Sequence, residues 1–154
     1  MRSPTSFPLV EWSVLAFGVW LSRDLPRAWL HSPQDQWGWL ALVLWLSPWV
    51  AHLVLHRPFS AHAFLLGAAI VVGLAGALVE FHFLGHAALA LALGSFLPPS
   101  WRSLFWFLSA VAWMPLLGWW LHPFPSGLVL AARLLLALAG GIILWPVVKP
   151  RVAI

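Results

Sequence analysis

The chain contains no cysteine. That excludes disulfides, thiolate metal sites and a cysteine nucleophile. Charge is almost as scarce: eight Lys and Arg and four Asp and Glu in 154 residues, or 8%. Soluble domains carry roughly 25% charged residues. So few charges cannot cover a water-facing surface, and lipid is the expected solvent. No Ser/His/Asp constellation, glycine-rich phosphate loop, low-complexity segment or internal repeat stands out. The net charge of +4 does not suggest nucleic acid, because the basic residues are scattered at the ends of apolar runs, as membrane proteins place them.

What is abundant is apolar sequence, 62% of the chain, with 13 tryptophans. The run Ala63 to Leu97 fixes the topology, since its 35 residues hold one formal charge, Glu80. As one helix it would be ~52 Å long, against a hydrocarbon thickness of ~30 Å. It is therefore expected to fold back near Glu80-Phe81-His82. The whole reads as an all-α, single-domain bundle of about six membrane helices. Its spans are Phe7 to Leu21, Trp37 to Leu55, Ala63 to Val79, Phe81 to Leu97, Ser103 to Leu121 and Leu128 to Val148. The N-terminal run resembles a signal peptide, but Glu11 interrupts it and no small-residue cleavage site follows, so an uncleaved first span is expected.

With six spans, Arg2, Arg57, Arg102, Lys149 and Arg151 share one side, and Arg23 and Arg27 the other. Five spans would disperse them. The positive-inside rule then places both termini in the cytoplasm, in a bacterial inner membrane. Trp20, Trp37, Trp39, Trp119 and Trp120 fall at the outer interface, and Trp12, Trp49, Trp101 and Trp145 at or near the inner one. Trp45, Trp106 and Trp113 lie deeper, as packing residues.

Small residues four apart mark helix-contact faces. The ladders are Ala69, Gly73 and Ala77; His86, Ala90 and Gly94; and Arg133, Ala137 and Gly141. Two of these faces carry His86 and Arg133, and His82 extends the second. Charges at membrane depth face the bundle interior and find partners. The expected result is an outward-facing polar cluster of Glu80, His82, His86 and Arg133, with His31, Asp35 and His122 in reach from loops. It would serve as a ligand, metal or proton-transfer site. The plainer alternative is a structural Glu80–Arg133 ion pair with hydrogen-bonded histidines. Asp24 and Asp35 otherwise read as loop carboxylates in a solvated connection.

His82 and His86 have metal-ligand spacing on a helix, as do His52 and His56, but neither pair has the Glu of a zinc-peptidase motif. The two pairs belong at opposite membrane faces and cannot share one haem iron. His52, His56, Arg57 and His62 form a cytoplasmic cationic rim, suited to anchoring or to an anionic lipid head.

Three stretches, LPRAWLHSPQDQWGWLALVLWLSP (Leu25 to Pro48), SWRSLFWFLSAVAWMPLLGWWL (Ser100 to Leu121) and RLLLALAGGIILW (Arg133 to Trp145), together resemble the membrane portion of the exosortase/archaeosortase family. That family comprises polytopic membrane cysteine transpeptidases acting at the outer face. With no cysteine here, the resemblance implies a catalytically empty relative or an accessory protein, and no functional residue carries over. The first functional expectation is a non-enzymatic accessory or assembly subunit, whose partner is another membrane protein or a second copy. The others are a periplasm-facing ligand-binding protein and a haem- or pigment-binding subunit of an electron-transfer complex.

Overall fold

The computed structural model describes residues 9–55 and 61–148. They form helices α1 (Leu9–Leu21), α2 (Leu25–His31), α3 (Gly38–Leu55), α4 (Ala63–Leu78), α5 (His82–Gly94), α6 (Trp101–Leu108), α7 (Pro115–Trp120) and α8 (Ser126–Val148), with a 3-10 turn at Ser109–Ala112 between α6 and α7. No strand occurs among the described residues. The all-α expectation holds. The chain folds back where the overlong run predicts, with Phe81 N–H bonded to the Gly76 carbonyl and Glu80 at a positive φ of 54°. At the far end of this hairpin His62 N–H meets the Ser95 carbonyl at 2.8 Å.

The helices are less uniform than six equal spans. Two are long and apolar enough to cross a membrane, α3 with 18 residues and α8 with 23. α1 and α5 have 13 residues each and α4 has 16, short of the ~20 that a span needs. The fifth expected span is not one helix. It passes from α6 through the 3-10 turn and restarts at Pro115. Proline has no N–H and forces the preceding residue out of helical geometry; Met114 is extended, at φ −76° and ψ 144°.

Two groups of helices pack together. α4 lies along α5 with α1 against both, and α8 is flanked by α3, α6 and the 3-10 turn. Close approach in the first group depends on glycine. A Cβ on Gly76 would stand 2.8 Å from the Leu84 Cβ, and one on Gly18 would stand 3.0 Å from the Leu89 Cα. The contact faces follow the expected ladders for one step and then drift. Gly76 and Gly140 are buried, whereas Ala77 is exposed and Gly141 half-buried. Each four-residue step overshoots the helical repeat by about 40°, so a step of three restores the face.

Tryptophans pack the second group and tie it to the first. Trp45 on α3 and Trp106 on α6 are fully buried and stacked, with ring centroids 3.9 Å apart and planes 8° from parallel. Each indole N–H donates to the other residue's carbonyl, at 2.8 and 2.9 Å. Trp113 is buried beside them, as expected. Trp49 is not an interfacial anchor: it is buried, donates to the Leu93 carbonyl at 2.7 Å and packs edge-on against Phe96. Inside α3, Pro48 cannot donate to the Leu44 carbonyl, and the Ser47 hydroxyl donates to it instead at 2.9 Å.

Candidate functional site

The polar residues gather at one end of the bundle, around the connection between α1 and α3. Its two carboxylates are each paired with a distant cation, and Asp35 is not solvated, contrary to the simple reading of a polar loop. Asp35 is buried and pairs with the Arg133 guanidinium of α8. Arg133 itself is fully buried. Its Nε donates to the Gln34 carbonyl at 3.1 Å, and Nη1 donates to the carbonyls of Ala112 and Met114 at 2.7 and 3.1 Å. Those last two carbonyls lie at the broken helix, where Pro115 interrupts the backbone ladder. Trp29 completes the patch by donating to the Trp113 carbonyl at 3.2 Å. Gly118 leaves the space, since a Cβ there would run into Asp35 Oδ1 and Arg133 Nη2. Burial pushes the Asp35 carboxyl up from its ordinary value, while Arg133 and the Ser32 side chain pull it down.

The second pair is His86 on α5 with Asp24, Nε2 to Oδ1 at 3.1 Å. The His86 side chain is buried, but that of Asp24 remains 28% exposed. The His86 ring also meets Trp113 edge-on, with centroids 6.1 Å apart. Two cavities open beside this pair. One, of about 340 Å³, is bordered by Trp20, Arg23, Asp24, Glu80 and His82. The other, of about 430 Å³, is bordered by Asp24, His82, His86, Phe83 and Trp119.

The expected four-residue cluster is thus divided. Arg133 is spent on Asp35 and backbone carbonyls, so the Glu80–Arg133 pair does not form. Glu80, His82 and His86 do share one neighbourhood with Asp24. His31 and His122 are exposed, and His31 Nδ1 bonds within α2 to the Arg27 carbonyl at 2.8 Å. His82 and His86 border one cavity, but His86 Nε2 is turned to Asp24. Among the described residues no three His, Asp or Glu side chains converge as metal ligands. Of the cationic rim, His56 and Arg57 lie outside the described residues; His52 is in the last turn of α3, and His62 is exposed just before α4.

Asp24 as the partner of His86, and Asp35 as the partner of Arg133, were not assigned from sequence. They stand 62 and 98 residues from those partners. The available signal was scarcity: a cation in the middle of an apolar helix requires a counter-ion, and the chain has only four acidic residues.

No family profile, curated protein or solved structure matches this chain.

Proposed function

We propose that the chain is an integral membrane protein of six short passes with both termini in the cytoplasm, and that it is a non-enzymatic structural subunit for other membrane proteins or for a second copy of itself. The observation carrying the membrane reading is the outward face of the bundle. Phe64, Val71 and Leu78 on α4 and Leu135 and Ile142 on α8 are exposed, Leu78 at 85% and Ile142 at 70%. Soluble monomers rarely expose apolar surface so continuously. The helices shorter than a full span would be met by local thinning of the bilayer. The structural role is favoured by the use of buried polar groups within the fold. The Arg133 guanidinium and the indoles of Trp29, Trp45, Trp49 and Trp106 all bond to backbone carbonyls. The resemblance to the exosortase membrane portion would fit this role as that of a catalytically empty relative.

A cysteine-free chain suits substituted-cysteine mapping in intact cells. Arg27→Cys and His122→Cys should react with a membrane-impermeant thiol reagent added outside, and Pro99→Cys only after lysis. The same pattern at all three positions would refute the six-pass topology. Release of the chain by alkaline carbonate would refute membrane integration.

A second reading, an outward-facing ligand site, is favoured by the two cavities that meet at Asp24 and His82.

A further inference from the structure

The end of α1 and the α4–α5 turn enclose the smaller cavity, whose border carries Arg23, Asp24 and Glu80. Arg23 is held on one side, with its guanidinium carbon 4.8 Å from the centre of the Trp20 ring. Glu80 comes from the turn opposite it in sequence, at the positive-φ position. Among the described residues neither Arg23 nor Glu80 makes an ion pair; Asp24 makes one, with His86. A cation and a carboxylate therefore border one cavity without neutralising each other. Such an arrangement complements a ligand that carries both signs a short distance apart. Apolar surface begins at the same border, where Trp20, Leu78, Val79 and Phe81 are exposed.

We propose that this cavity binds the headgroup of a phospholipid carrying a phosphate and a primary amine. The phosphate faces Arg23 and His82, the ammonium faces Glu80 and Asp24, and the acyl chains lie along Leu78 and Val79. A purely anionic headgroup is disfavoured by the two carboxylates. Arg23 already occupies one face of Trp20, and a quaternary amine has no N–H to offer Glu80 and Asp24. Recognition of the amine then falls to carboxylates, which accept hydrogen bonds and so favour a donor-bearing amine. The proposal rests on the membrane and ligand-site readings above.

The test is native mass spectrometry of the full chain from nanodiscs made with equal phosphatidylethanolamine, phosphatidylcholine and phosphatidylglycerol. The wild type should retain phosphatidylethanolamine over the other two by about fivefold, which corresponds to about 1 kcal/mol of discrimination. Glu80→Gln should erase the preference over phosphatidylcholine while leaving the tryptophan-fluorescence melt unchanged, because Glu80 is exposed. Arg23→Gln should weaken retention of all three lipids, since each carries the phosphate. Equal retention of all three lipids by the wild type, or a full preference in Glu80→Gln, would overturn the proposal. So would displacement of the lipid by free phosphoethanolamine, which would make the ligand a soluble headgroup. A chain that enters the discs without lipid preference leaves the membrane reading intact. One that fails to enter, seen as aggregate before any lipid is counted, sinks both.

Discussion

Asp24 and Asp35 leave the same short connection, and each meets a cation on a distant helix. Asp35 is sealed against Arg133, whose remaining donors go to the carbonyls of Gln34, Ala112 and Met114. Asp24 reaches His86 but keeps part of its surface open to two cavities. A buried ion pair is tolerable when every remaining hydrogen-bonding position is filled. Arg133 approaches that condition at a broken helix: its Nη1 donates to the carbonyls of Ala112 and Met114, the second of which also accepts from the Leu117 N–H. The Asp24 pair stays partly open and borders two cavities. One pair is sealed inside the fold; the other belongs to the proposed ligand site.

The comparison can be broken most severely at Arg133. Arg133→Ala removes donors from several carbonyls and strands the Asp35 carboxylate. A cost of about 3–5 kcal/mol is expected, enough to prevent recovery of folded protein from mild detergent. Arg133→Lys should rescue only partly, because one ammonium cannot reproduce the planar fan of donors. Full stability of Arg133→Ala, measured by detergent unfolding, would show that the sealed pair is dispensable.

The stacked indoles come next. Trp45→Phe and Trp106→Phe each delete one of the reciprocal hydrogen bonds and part of the ring contact. Each should cost about 2 kcal/mol. The double variant should cost less than the sum, since either single change already disrupts the shared stack. Strict additivity in the same unfolding assay would mean that the two bonds act independently. Gly118→Ala, which pushes a methyl group between Asp35 and Arg133, should cost about 1–3 kcal/mol. A neutral result there would mean that the sealed pair has more room than its geometry allows.

These particular residues also show what could be read in advance. The fold-back at Glu80 follows from length alone, since a largely apolar run of 35 residues exceeds one bilayer crossing. The break at Pro115 was visible as a proline but not as a helix end, because a proline within an apolar run can equally well sit inside a continuous helix, as Pro48 does in α3. Burial of Trp45, Trp106 and Trp113 was readable from their depth; the reciprocal bonding was not, because it depends on how α3 and α6 come together. The carboxylate partners were hidden for a similar reason. A polar, proline-bearing connection looks the same in sequence whether it faces water or folds over the bundle end.

The smallest expected effect belongs to the open pair and is the sharpest test of the contrast. Asp24→Asn keeps the size and hydrogen-bonding reach of the side chain while removing its charge. Because Asp24 is partly exposed and borders hydratable cavities, water can satisfy what the change leaves unpaired. The loss of stability should be about 0.5–1.5 kcal/mol, well below the cost of Arg133→Ala. Asp35→Asn, the same substitution at the sealed pair, should cost more, since it leaves the Arg133 charge buried without a counter-ion. If both Asp→Asn variants lose the same stability in parallel detergent melts, exposure does not separate the two pairs, and the assignment of one to structure and the other to binding fails. If they differ in the expected order while Asp24→Asn alone alters ligand or lipid retention, the division between them is functional as well as structural.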